Sequence, residues 1–353
     1  MIVFFVISSF FTLFLGSFIR LGWDFSRPEV WMLYGIVGAI FPFFAGAEVG
    51  RRVRGWVRPY TFGSILLGSG SIAFGMAFCG YLGIFMGFPV LITVRGCMTL
   101  AGLLIILSLW VHWRGPRVVH LDLSKNVAFS KLSKRYTVVQ LSDIHLSHHT
   151  RLSWVQNVVK MTQDLNPDFI LFTGDFIDVD PSLIPDHIQT LSTLTARYGK
   201  FAVSGNHDFM TGISKFNALC EHLGFTVLDN ASAQLEGITF VGVPDEMAKR
   251  SGVPGPNFDL LKKHAGDSPV IFLKHRPTRF KEAVLCGANL QLSGHSHRGQ
   301  LPPWGILVRL RYQKYAYGLH AYKTGHIYTS CGTGVWGPPM RLFGRAEIVK
   351  IVI

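Results

Sequence analysis

Four apolar stretches dominate the start of this chain: Ile2–Ile19, Val30–Ala47, Phe62–Gly87 and Val90–Trp113. Crossing the hydrocarbon core of a bilayer takes roughly 20 consecutive apolar residues, and each stretch is about that long. Lipid offers no hydrogen bonds to an open backbone, so such a segment must close its own as a helix. The blocks therefore predict a transmembrane unit of four helices over residues 1–113. A cleaved leader in place of the first helix would begin with a basic region, and none is present. A soluble bundle would show a polar face on each helix.

The arginines set an orientation. Arg51, Arg52, Arg54 and Arg58 lie between the second and third blocks, and Arg114, Arg117, Lys125, Lys131, Lys134 and Arg135 come after the fourth. With four spans, these two segments share a side with the N-terminus. Positive loops stay in the cytoplasm. The expectation is a multi-pass protein of the cell inner (cytoplasmic) membrane, with residues 136–353 as a domain facing the cytoplasm and 114–135 as a basic juxtamembrane linker. The formal charge of the 353 residues is +13. Nucleic acid, anionic lipid and a phosphorylated substrate could each answer to it. The basic run after the last block points to the lipid bilayer, worth about 1 kcal/mol per residue, though fixing topology explains the run equally well. The anchoring speaks against nucleic acid as a partner. The five cysteines show no paired spacing, which fits reduced thiols.

Beyond Gly115–Pro116 the pattern changes to short apolar runs between turn residues. "YTVVQL" (136–141), "DFILFT" (168–173), "FAVS" (201–204), "PVIFL" (269–273) and "LQLS" (290–293) read as strands. Residues 151–165, 182–196 and 212–223 read as helices. "ITFVGV", "IYTS" and "AEIVKIVI" add further strand. The expectation is an α/β domain with two packed sheets flanked by helices.

Those five strands end alike. They run into Asp143 and His145; Gly174, Asp175 and Asp178; Gly205, Asn206, His207 and Asp208; Lys274 and His275; and Gly294, His295 and His297. Ligands in α/β folds collect beyond the carboxyl ends of strands, so residues distant in sequence can converge. Carboxylates and imidazoles without a thiolate suit Mn²⁺, Fe²⁺ or Zn²⁺. The set is too large for one ion and enough for two, and two ions about 3.5–4 Å apart clamp a phosphoryl group. One carboxylate should bridge them, because neighbouring cations repel.

The series D-x-H, G-D-x-x-D, G-N-H-D, a lone His and G-H-x-H, in this order over about residues 136–353, resembles the calcineurin-like metallophosphoesterase superfamily. The resemblance implies a four-layer αββα sandwich. It also implies that Asp143, His145 and His297 hold one divalent metal and Asn206, His275 and His295 a second, with Mn the expected ion in both and Asp175 bridging. His207 would protonate the leaving oxygen, with Asp208 fixing its tautomer, and Gly205 would let the chain turn sharply. Asp178 stands open between a supporting group and a helix-start residue.

"GHSHRGQ" and "PPMRLFGRAEIVKIVI" further resemble the membrane-associated bacterial phosphodiesterase branch. One member type there hydrolyses UDP-2,3-diacylglucosamine to lipid X and UMP in lipid A synthesis. Arg298, where a small residue is usual, and Cys331, where a basic one is common, depart from that pattern. Arg298, Arg309, Arg311 and Arg341 are candidate contacts to a phosphorylated lipid or nucleotide-lipid substrate. The aromatic and basic segment 302–345 can equally press on a bilayer or be exposed strand. A broad-specificity phosphodiesterase is the alternative enzyme. A non-catalytic membrane sensor or scaffold would need a damaged ligand set, and every motif residue is present. The sequence leaves the oligomeric state open.

Overall fold

A computed structural model describes residues 2–50, 57–266 and 268–353, with side chains described for 9–26, 28–40, 59–266 and 268–353. The chain forms two compact units. One comprises Met1–Arg114 together with Gly299–Leu307 and Gly337–Phe343; the other comprises Gly115–Arg298, Val308–Trp336 and Gly344–Ile353.

The first unit is helical: α1 (Ile2–Gly22), α2 (Arg27–Gly50), α3 (Val57–Phe85) and α4 (Val90–Trp113). Phe11, Leu15, Phe18, Val37, Ala77 and Val94 bury one core. Gly80 leaves the space that the Phe18 ring occupies. Trp31, Ile36, Phe78, Leu103 and Ile106 point outward, as lipid-facing side chains do. Among the described residues, Pro59–Phe85 and Val90–Trp113 are long and apolar enough to cross a membrane, while Ser9–Gly22 and Pro28–Ile40 are shorter apolar helices. Arg51, Arg52 and Arg54, on which half of the orientation rests, lie outside the described residues. Leu301 and Met340 return from late in the chain to pack with Ile72 and Ala101.

Among the described residues, the second unit holds twelve strands in two sheets. One sheet has the order β1-β12-β2-β3-β4-β5, from Arg117–Asp122, Glu347–Val352, Thr137–Leu141, Phe169–Phe172, Gly199–Ala202 and Thr226–Val227. The other is β10-β11-β9-β8-β7-β6, from Gly318–Tyr322, Gly325–Thr329, Leu290–Ser293, Val270–Leu273, Ile238–Gly242 and Ala231–Leu235. The strands β2, β3 and β4 run parallel, as do β7, β8 and β9. The central strands β3 (FILF) and β8 (VIFL) are apolar throughout because both faces are covered.

Between the sheets, Val138, Phe169, Leu171 and Phe201 meet Phe240, Ile271, Leu273 and Leu292. On the outer face of the first sheet, Val139, Leu141, Ile170 and Phe172 pack on α5 (Leu152–Gln163), α6 (Pro185–Leu191) and α8 (Ile213–His222). The short α7 (Asn206–Thr211) precedes α8. Outside the second sheet, Val241, Val270 and Phe272 join α10 (Asp259–Lys263) and α11 (Phe280–Leu285), after the single turn α9 (Met247–Arg250). The layers run helix, sheet, sheet, helix.

Three expectations are corrected. The basic segment 114–135 is not a free linker, since β1 pairs in parallel with β12 from Arg117↔Glu347 to Asp122↔Val352. The helix expected over 182–196 is cut to Pro185–Leu191. Part of segment 302–345 is α12 (Trp304–Tyr312), with no buried residue, and not strand.

Candidate metal centre

The loops after β2, β3, β4, β8 and β9 bring their polar residues to one place. Ligand atoms of Asp143, His145 and His297 lie within 4.8 Å of one another, as do those of Asp175, His275 and His295, and those of His145, Asp175 and His207. Asp175 thus belongs to two groups. Its Oδ2 lies 3.1 Å from His275 Nε2 and 3.7 Å from His145 Nε2.

The loops reach this arrangement through unusual backbone. Asp143, His145, Asp175, His295 and His297 all have positive φ, between 44° and 66°. That region costs an L-residue roughly 1–2 kcal/mol, less for Asp and His, which are enriched there. Such strain collects where function needs a side chain aimed against the run of the chain. Gly205 has an extended backbone, φ −104° and ψ 179°, so the sharp turn expected there is absent. Glycine is required for another reason: a Cβ would collide with the backbone N and Oδ1 of Asp175.

Four of the donors, Asp143, His145, Asp175 and His275, are aimed by a further hydrogen bond. His275 Nδ1–H donates to the Thr173 carbonyl at 2.8 Å, and His145 Nδ1–H donates to Asp178 Oδ1 at 3.0 Å. Both rings therefore turn Nε2 inward, the atom that would be free to meet a cation once its proton is displaced. The His295 backbone N–H donates to Asp143 Oδ1 at 2.9 Å, and the His207 N–H to Asp175 Oδ1 at 2.8 Å.

The atoms so aimed face one another. His145 Nε2 and His297 Nε2 are 3.1 Å apart, and so are His295 Nδ1 and His275 Nε2. Two nitrogens each about 2.1 Å from one ion would sit roughly 3–3.4 Å apart. Asn206 Oδ1 is buried with no hydrogen-bond partner among the described residues, a costly state unless a cation takes the lone pair. The donors fit two divalent ions: Asp143, His145 and His297 about one, and Asn206, His275 and His295 about the other, with Asp175 common to both.

His207 differs from these. Its ring is half-buried, edge-on to His145 at 4.7 Å between centroids, with the exposed indole of Trp336 at 6.1 Å. Burial alone would lower its pKa, but the carboxylates of Asp178 and Asp175 outweigh that and raise it to about 9.

The assignment of Asp208 as its orienting partner is corrected. Asp208 is fully buried and accepts backbone N–H groups from Gly205, Asp175 and Phe176 at 2.8–2.9 Å and from Ile177 at 3.3 Å. It ties the loop after β3 to the start of α7. Asp178 is the partner, with Oδ1 at 2.9 Å from His207 Nδ1.

The arginines expected at a substrate fall in different places. Arg298 stacks its guanidinium on the Tyr317 ring, 4.4 Å from the centroid. Arg309 and Arg311 are exposed on α12. Arg341 is fully buried, its backbone N–H donating to the Ser108 carbonyl. One cation was missed. Arg276, next to the ligand His275, makes two hydrogen bonds to buried Asp245 at 2.6 and 3.0 Å. The only signal in sequence was its adjacency to that histidine.

The sequence profile of the calcineurin-like phosphoesterase family matches residues 136–299. An uncharacterised metallophosphoesterase of Aquifex aeolicus is 31% identical over 220 residues, covering 61% of this chain and 84% of that protein. One from Helicobacter pylori is 32% identical over 228 residues, covering 64% of this chain. A transmembrane protein with metallophosphoesterase domain from Danio rerio is 32% identical over 229 residues, covering 61% of this chain. The chain spans 61% of the length of the Helicobacter relative and 52% of the Danio one.

Proposed function

This chain belongs to the calcineurin-like metallophosphoesterases, metal-dependent phosphoester hydrolases, and we propose that it cleaves a phosphodiester or diphosphate bond of a membrane-resident substrate. The observation that carries this reading is the pair of donor groups, Asp143–His145–His297 and Asp175–His275–His295, with Asp175 also grouped with His145 of the first.

When bound, a pair of divalent cations offsets phosphoryl charge and acidifies the attacking water. The protein's own groups do the rest. Asp175 and Asp143, pinned by backbone N–H groups, keep the donor sets in register. Asn206 presents a neutral oxygen, which limits the negative charge facing an anionic substrate. His207, held by Asp178, gives its proton to the leaving oxygen. The bridge through Oδ1 of Asp178 fixes the rings of His145 and His207 together, so the proton donor is positioned relative to the donor groups.

Two long apolar helices and the similarity to relatives named as transmembrane proteins support membrane attachment. In this reading the remaining helices α1 and α2 also span, the catalytic unit faces the cytoplasm at the inner membrane, Mn²⁺ is the working ion, and the bilayer is its partner. A nucleotide-linked lipid is the substrate class to try first, with UDP-2,3-diacylglucosamine as the leading compound. The test is turnover by the detergent-solubilised full chain of a panel of lipid and nucleotide phosphoesters, with Mn²⁺, Fe²⁺ and Zn²⁺ supplied in turn. Release of UMP from that compound supports the finer reading. Turnover of aryl phosphodiesters alone leaves the class and removes the substrate. No turnover with any ion overturns the proposal.

A further inference from the structure

The loop after β7 and the loop after β8 form a network of charges beside His275. Lys274, fully buried, donates to Glu246 Oε1 at 2.6 Å, and Thr278 Oγ1 donates to the same oxygen at 3.1 Å. Arg276 lies 3.3 Å from Glu246 Oε2 and forks onto Asp245 through Nε at 2.6 Å and Nη2 at 3.0 Å. Asp245 is fully buried, and its Oδ1 also accepts the Met247 N–H at 2.8 Å. Two cations flanking a metal-binding histidine are balanced by two carboxylates, so the network is close to neutral.

That neutrality decides what Arg276 is for. It adds no surplus charge; it fixes a direction. A guanidinium has five N–H donors in a rigid plane, and Asp245 takes two of them. No other hydrogen bond from the guanidinium occurs among the described residues. Its side chain keeps 28% of its surface open, whereas that of Asp245 keeps none. The outer edge of the fork thus faces solvent while the inner edge is locked. The position is beside the group of Asp175, His275 and His295, whose His295 ring meets Tyr312 edge-on at 5.9 Å.

We infer that Arg276, held by Asp245, binds a second phosphoryl group of the substrate, so that the site favours diphosphate esters over esters with a single phosphorus. This rests on the proposed phosphoesterase activity and specifies its substrate. In this inference the phosphorus under attack lies at the two donor groups, and a phosphoryl joined to it through one oxygen is the group that the open edge of the Arg276 fork, next in sequence to His275, would meet. A planar fork meets two oxygens of one phosphoryl group together.

The test uses the full chain in detergent, bis(4-nitrophenyl) phosphate as substrate, and ADP and AMP as competing inhibitors at a fixed free concentration of the activating cation. The two nucleotides differ by one phosphoryl. ADP should inhibit about tenfold more strongly than AMP, as two charge-assisted hydrogen bonds allow. Arg276→Lys keeps an ion pair with Asp245 but offers no outward fork, so the ratio of inhibition constants should fall close to one. The double variant Asp245→Asn/Arg276→Gln removes both charges and should do the same if the lysine variant does not fold. The ratio is independent of how much enzyme is active. Equal inhibition of the unaltered protein by ADP and AMP overturns the inference while the hydrolase reading stands. So does a ratio that survives in either variant, which would leave Arg276 as a brace. Absence of turnover of the aryl diester with every cation overturns both.

Discussion

His207 Nδ1 lies 2.9 Å from Asp178 Oδ1, and the same oxygen accepts from His145 Nδ1 at 3.0 Å. In the proposed mechanism one carboxylate oxygen thus orients both a donor to a cation and the side chain that protonates the leaving group.

Replacing Asp178 by Asn should move the alkaline limb of the pH–rate profile. His207 is raised to about 9 by Asp178 and Asp175 against the lowering effect of burial. Its protonated form is full below the ordinary histidine value near 6.5 and is lost as pH rises through the raised value, so activity that needs the proton falls there. Bound cations lower that limb in the parent and the variant alike. Losing the Asp178 charge should bring it down by about 1 unit or more, measured as kcat/KM against pH. An unmoved limb would separate Asp178 from proton donation.

His207→Ala should cost about 10²–10⁴-fold in kcat on esters with an alkoxide leaving group. The loss should be far smaller with 4-nitrophenolate, which leaves without a proton. Equal losses on both would show that the ring acts on something other than the leaving oxygen.

Asp208→Asn should behave differently from the Asp178 variant. An amide offers one acceptor oxygen to a set of N–H groups that now includes Gly205, Asp175 and Phe176, and turns an NH₂ toward the remainder. The cost should be about 3 kcal/mol of stability, read as a lower melting temperature, with the alkaline limb unchanged in position.

Gly205→Ala should empty the site. The new methyl group occupies the space of the Asp175 carboxylate, and overpacking of this kind costs about 1–3 kcal/mol. Bound metal per chain, measured by mass spectrometry of the purified protein, should drop. Full metal content would mean that the loops yield.

Removing the cations with EDTA should abolish turnover and lower the melting temperature. Ions at 100 times their dissociation constant contribute about 2.7 kcal/mol, and Asp143 and Asp175 are left facing each other without them. Restoring a divalent cation should reverse both effects. A melting temperature indifferent to EDTA would contradict the donor set.

Much of this site was legible because buried parallel strands are written as uninterrupted apolar runs, so their polar ends stand out. Asp143, Asp175, Asn206, His275 and His295 could be lined up on that basis alone. The edge strands β6 and β10 were not legible. Their burial alternates weakly, with Leu235 and Leu319 exposed, and such strands read as loop. The pairing of β1 with β12 joins residues more than two hundred positions apart, and nothing local in a basic segment announces it. The exchange of Asp208 for Asp178 has a spatial cause. Which carboxylate reaches the His207 ring depends on how the loop after β3 lies against the first turn of α7, and spacing in sequence does not encode that. Arg276 was passed over because an arginine after a histidine resembles any exposed cation until its partner Asp245, from another loop, is seen.

Leu301 and Met340 pack among helix residues Ile72 and Ala101, so residues on both flanks of α12 belong to the helical unit. The chain enters that unit three separate times. The helices therefore do not form a leash that can be severed at Gly115 to release an intact soluble enzyme. Such a truncation would strip these two side chains of their neighbours, and any transplant of the hydrolase as a cassette would have to carry its helical portion with it.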